Sequence, residues 1–175
     1  MSAPSALIDT SVLSNFARLC IERLIADAVP DSATTPEVLR ELRDGVAFGH
    51  LPRNCDFQWL SVVTLSEEER EILSLLIHEG LGMGESSCIA AAVTRKCGVF
   101  TDDKLARRFA QSLALPVSGT LGVPVVLVRK GSLNLQEANG YLSRMYRARL
   151  LRTSNQTKPF DLGEDLVSPC CDCLS

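Results

Sequence analysis

The stretch Ala6-Leu7-Ile8-Asp9-Thr10-Ser11 is a short apolar run that ends in a carboxylate, and Val99-Phe100-Thr101-Asp102-Asp103 repeats the arrangement later in the chain. Each run suits a strand buried on both faces, and each is followed at once by an amphipathic helical pattern. In an open α/β sheet the carboxyl ends of the strands border the ligand crevice. Two such ends therefore bring negative charge toward one place. Carboxylates gathered without paired cations repel one another, and a bound metal ion is the common way of reconciling them.

Outward from these runs, Ser11 can cap a helix carrying Val12, Phe16, Leu19 and, beyond a bend, Leu24. Pro30-Asp31-Ser32 reads as a turn, and Thr35-Pro36 opens a short helix that Gly45 ends. Residues 45–57 read as loop and 57–63 as a strand, with Phe57 and Trp59 turned to the core. Ser66-Glu67-Glu68-Glu69 is a capping box for a helix through Ile72, Leu73, Leu76 and Ile77. Gly80, Gly82 and Gly84 separate it from a helix over about 85–96. After a strand at 97–101 comes a helix with Leu105, Phe109 and Leu113 inward and Lys104, Arg107 and Arg108 outward, then a short strand at Pro116-Val117-Ser118. Residues 123–128 suit a strand by residue type, whereas Gly119-Thr120 could equally cap a helix; periodicity does not choose. A last helix over roughly 135–151 places Leu135, Ala138, Leu142 and Met145 on one face. Alternating strands and helices predict a parallel sheet covered on both sides.

The 175 residues suit one domain, taken as 1–152, followed by a polar and acidic tail at 153–175, expected to be loose, that carries Cys170, Cys171 and Cys173. No apolar run approaches the ~18 residues of a membrane span, and the start of the chain lacks the basic region of a signal peptide. Seven scattered cysteines fit reduced thiols in a cytoplasm better than a disulfide framework. The net charge of −3 conceals an asymmetry: residues 1–94 hold 6 basic and 14 acidic side chains, residues 95–158 hold 12 basic and 3 acidic. A basic half beside an acid cluster suits a polyanion held over a metal, although solvated helix faces would give the same count.

Most acids lie where a solvated helix face wants them. Glu85 heads a stripe with Ile89, Ala92 and Val93 and so points inward, although a surface glutamate is also favoured in a first turn. In the helix after Thr35, Glu41 flanks the apolar edge one turn beyond Val38, while Glu37 and Arg40 point further outward. Asp9, Glu41, Glu85 and Asp103, with Asp102 as a fifth candidate, form a hard oxygen set suited to Mg²⁺ or Mn²⁺ and to phosphodiester hydrolysis.

The ordered set Leu7-Ile8-Asp9-Thr10-Ser11, Thr35-Pro36-Glu37-Val38-Leu39-Arg40-Glu41-Leu42, Gly84-Glu85-Ser86-Ser87-Cys88-Ile89-Ala90-Ala91-Ala92 and Phe100-Thr101-Asp102-Asp103 resembles a PIN domain. Val117-Ser118-Gly119-Thr120-Leu121-Gly122 resembles the bacterial and archaeal branch related to VapC-type toxins. The resemblance spans roughly residues 5–130. It implies an α/β/α sandwich with a four- or five-stranded parallel sheet, a helix over 119–130, and a metal-dependent ribonuclease. It places the four family acids on Asp9, Glu41, Glu85 and Asp103, with Ser11 and Thr101 in support. It also implies RNA as substrate, a homodimer, and an antitoxin as a partner in a toxin–antitoxin pair. Lys104, Arg107, Arg108, Arg144 and Arg147 lie on polar helix faces and are the candidate RNA contacts.

Other signals lead elsewhere. Gly80-Leu81-Gly82-Met83-Gly84 follows a helix and lacks the Lys-Ser/Thr of a phosphate loop. The tail thiols are too tightly spaced for an ordinary zinc site, and His50 and His78 lack a nucleophile motif. Ser11 stands where a haloacid-dehalogenase-type phosphatase needs its second acid, and a receiver domain would want an acidic pair before the first helix. The alternative of another class is a catalytically silent PIN-like module that binds RNA or protein.

Overall fold

A computed structural model describes residues 3–148 of the chain. Five parallel strands, β1 (Ala6–Ile8), β2 (Ser32–Thr34), β3 (Ser61–Val62), β4 (Gly98–Phe100) and β5 (Val117–Ser118), form one sheet in the order β3-β2-β1-β4-β5. Eight helices alternate with them: α1 (Thr10–Ala17), α2 (Arg23–Ala28), α3 (Pro36–Ala47), α4 (Glu67–His78), α5 (Met83–Arg95), α6 (Lys104–Ser112), α7 (Gly122–Arg129) and α8 (Leu135–Arg147). Leu7 of the central strand pairs with Ala33 on one side and Val99 on the other, and Ile8 pairs with Phe100. Every residue of β1 and β4 is buried, which is why both read as unbroken apolar runs. The strand reversal puts the carboxyl ends of β1 and β4 side by side, where Asp9 N–H donates to the Phe100 carbonyl at 2.9 Å.

Helix α5 packs against β1 and touches α3, α4 and α6. Its segment Ser86-Ser87-Cys88-Ile89-Ala90-Ala91-Ala92 is buried throughout. Side chains that are small apart from Ile89 let the helix lie close to the sheet and to its neighbours at once. On a second flank α7 packs between α2 and α8. The main core gathers around Leu7, Leu13, Phe16, Phe100, Leu127 and Leu142, and a smaller cluster of Leu76, Leu81, Ile89, Ala90 and Ala106 joins α4, α5 and α6.

Several local expectations are corrected. Strand β2 begins at Ser32, where a turn was expected. Ser-Ala-Thr is too short and polar to announce a strand. It is held by two strand neighbours and by Thr34 Oγ1, which donates to the Ile8 carbonyl at 2.8 Å. Residues 57–60 are irregular, with Trp59 Nε1 donating to the Asp56 carbonyl at 2.9 Å, so the strand is confined to Ser61–Val62, while Phe57 and Trp59, half-buried, still pack against the main core as expected. Residues 122–129 form α7, the helix that the resemblance implied over 119–130 in place of the strand that residue type suits, with Pro124 in its first turn, where its missing N–H costs little. Leu113 and Leu135, expected inward, are 45% and 39% exposed: Leu113 lies past the end of α6 and Leu135 at the first position of α8. The expected continuation of α8 to 151 and the tail at 153–175 lie outside the described residues. Among the described residues no helix is long and apolar enough to cross a membrane.

Candidate functional site

Asp9 stands at the end of β1 and caps α1, a role the sequence suggested for Ser11. It is fully buried. Its Oδ2 accepts hydrogen bonds from Ser11 Oγ at 2.7 Å, Thr101 Oγ1 at 3.0 Å and Ser11 N–H at 3.3 Å. Its Oδ1 is enclosed and has no hydrogen-bond partner. Burial raises the Asp9 carboxyl above the ordinary aspartate range, against the lowering effect of those hydrogen bonds. Both hydroxyls also face the second acidic strand end: Ser11 Oγ accepts from Asp102 N–H at 3.0 Å, and Thr101 Oγ1 accepts from Asp103 N–H at 3.2 Å. The supporting roles expected of Ser11 and Thr101 thus have a geometric form: each orients Asp9 while pinning the turn after β4.

Glu41 projects from α3 toward the start of α5. Its Oε1 accepts from Gly84 N–H at 2.9 Å and its Oε2 from the Thr10 hydroxyl. A Cβ at Gly84 would stand 2.6 Å from Glu41 Oε2, so only glycine admits the carboxylate this close to the helix backbone. Glu85, half-buried in the first turn of α5, turns back over Gly82, where a Cβ would overlap its Oε2. Its carboxyl is pushed up to about 7, first by burial and then by the negative charges of Asp9, Glu41 and Asp103. Asp103 caps α6, its Oδ1 accepting from Ala106 N–H at 2.8 Å. The tertiary structure therefore brings Asp9, Glu41, Glu85 and Asp103 within one electrostatic neighbourhood. Among the described residues, however, no three acid, histidine or cysteine side chains already close around a single ion position.

Asp102 is engaged differently. Its Oδ1 accepts from Thr120 N–H at 2.8 Å, and its Oδ2 accepts from Asn15 Nδ2 at 2.9 Å and from the Thr120 hydroxyl. It ties the end of β4 to α1 and to the turn before α7, and it is not among the charges that raise Glu85. Of the doubled aspartates, Asp103 is the one whose charge reaches Glu85.

From residue 5 to residue 158 the sequence matches a family model described as a PIN domain. The chain belongs to the PIN-domain family. None of the curated proteins compared with it matches. The PIN fold is a nuclease-type fold, and the parallel sheet with flanking helices is the architecture that the motifs led us to expect.

In this PIN domain the expected cations divide by environment. Lys104 and Arg108 are exposed on α6, which starts at Asp103, and Arg144 and Arg147 are exposed on α8. Arg107 is half-buried and donates from its guanidinium to the Thr101 carbonyl at 3.0 Å, so it supports the strand end that carries the acids. Sequence reasoning missed Thr10, Asn15 and Thr120. Asn15 left a signal, a polar residue on the apolar face shared by Val12 and Phe16; Thr10 left none, because its partner lies 31 residues away. Glu37, read as pointing outward, is half-buried, and its Oε2 is enclosed without a hydrogen-bond partner.

Proposed function

We propose that this PIN domain is a ribonuclease that hydrolyses RNA phosphodiester bonds with Mg²⁺ or Mn²⁺ held among Asp9, Glu41, Glu85 and Asp103. The observation that carries the reading is Asp9 Oδ1, an enclosed carboxylate oxygen with no donor, in the company of three further acids. An enclosed polar atom without a partner costs about 1–3 kcal/mol, and more when charged. A hard divalent cation suits that oxygen and the donor set around it. Such an ion, when bound, supplies an activated water and stabilises the leaving oxygen of a phosphodiester.

The chain's own part is placement. Ser11 and Thr101 fix Asp9 through Oδ2 and leave Oδ1 free to bind, and Thr10 with Gly84 N–H fixes Glu41. Residues that orient a ligating carboxylate typically change metal affinity 10–100-fold when lost, which sets the weight of these hydroxyls. Lys104 and Arg108 give the phosphate backbone a basic approach along α6. The finer reading, a toxin restrained by a cognate antitoxin, is supported by the branch that residues 117–122 resemble, and co-purification with the product of the adjacent reading frame checks it.

Calorimetric titration of Mn²⁺ into metal-free protein is expected to show binding that Asp9→Asn removes. Cleavage of single-stranded RNA is expected to stop with chelator and to fall at least about a hundredfold in Asp9→Asn. Chelator-insensitive cleavage in that variant, or no Mn²⁺ binding by the wild type, overturns the reading. Binding of Mn²⁺ and RNA without cleavage would identify a silent PIN-like module instead.

A further inference from the structure

Away from the acids, a groove of about 570 Å³ opens between α3 and the loop that leads into β3. Leu39, Val46, Phe57 and Val62 line it together with Arg43 and Arg53. Leu39, Arg43 and Val46 share one face of α3, about 140–200° round the helix from Glu41. Both arginines are exposed, and neither pairs with a carboxylate of the described residues. Beside them β3 is the edge of the sheet, with Val62 46% exposed. An apolar groove walled by two cations and bordered by an open strand edge fits an extended segment that mixes apolar and acidic side chains.

The chain carries such a segment in Phe160-Asp161-Leu162-Gly163-Glu164-Asp165-Leu166, which lies outside the described residues and beyond residue 158, where the family match stops. We propose that the groove is the docking site of the chain's own residues 160–166, with apolar side chains entering it and Asp161, Glu164 and Asp165 meeting Arg43 and Arg53. The span is sufficient. Residues 149–159 reach roughly 40 Å when extended, about the width of a domain of this size. Helix α8, from which they continue, packs on α7, α7 packs on α2, and Arg23 of α2 pairs with Asp56 of the groove's loop at 3.0 Å. A tether of this kind presents the segment at an effective concentration in the millimolar range, so a weak contact suffices.

Trp59, the sole tryptophan, lies half-buried in the groove's loop between the lining residues Gln58 and Leu60, and its emission reads a change in that loop. In the full chain, D161K/E164K/D165K is expected to move Trp59 emission to longer wavelength at every protein concentration. R43E/R53E should do the same, and the combination of both sets should return the emission to the wild-type position. Amide resonances of Ser61 and Val62 should shift in the same pattern. Emission and amide spectra identical in wild type and D161K/E164K/D165K overturn the proposal, as does a combined variant that fails to recover. A difference that grows with protein concentration also overturns it, because it gives the groove to the segment of a second copy.

Discussion

At Glu85, burial and three neighbouring carboxylates raise the carboxyl from 4.5 to about 7. Between those values the folded, metal-free protein keeps a proton that the unfolded chain has released. The contribution to stability is therefore full below about 4.5 and is lost as pH rises toward 7. Asp9, also raised, acts with the same sign. The melting temperature of chelated protein is thus expected to fall between about pH 5 and pH 8, and Glu85→Gln should flatten most of that slope, as thermal denaturation monitored by circular dichroism can check. A slope unchanged in the variant would show that Glu85 is not the titrating group. Glu69 has the opposite sign. Held near 2, chiefly by the Arg95 guanidinium, it contributes above about 4.5 and loses that contribution only in stronger acid, outside the window.

Helix α5 and helix α6 set the site from two directions. At the start of α5, Gly84→Ala puts a methyl group against Glu41 Oε2, and the carboxylate must give way. Mn²⁺ affinity is expected to fall 10–100-fold with the overall fold retained, measured by calorimetry beside far-ultraviolet circular dichroism. On α6 the two arginines separate. Arg108→Ala should weaken RNA binding and lower its salt slope by ~0.7 for the lost phosphate contact, while sparing Mn²⁺ binding. Arg107→Ala should disturb both, because its guanidinium supports the Thr101 carbonyl beside Asp9 and Asp103. Filter binding across a salt series, paired with Mn²⁺ titration, distinguishes the two.

Across the whole molecule, Leu75 of α4 is 66% exposed and Leu113, just past the end of α6, is 45% exposed. Exposed apolar patches of this kind mark association surfaces. Light scattering is expected to report a homodimer, and Leu75→Glu to shift it toward monomer. A wild type that is monomeric at every concentration tested would remove the dimer. Asp9 at the end of β1 and Asp103 after the end of β4 belong to neighbouring strands, and the exposed Lys104 and Arg108 lie on the helix that starts at Asp103.

The sequence by itself determined the central strands and their acids. β1 and β4 are buried on both faces and must be apolar, so an aspartate at the end of each stands out, and Glu85 stands out equally on an apolar stripe. It determined the parallel α/β layout through the alternation of strand and helix signals, and the order of its motifs pointed to the PIN family. Only the tertiary structure decided what depends on contacts distant in sequence. Strand β2 exists because β1 and β3 pair with it, not because Ser-Ala-Thr favours extension. Asp102 and Asp103 are chemically identical neighbours in the chain. Asn15 and Thr120, 87 and 18 residues from Asp102, claim its carboxylate, while Asp103 is left facing Glu85. Local patterning fixes which face a residue presents, but the partners it meets there depend on how the chain returns.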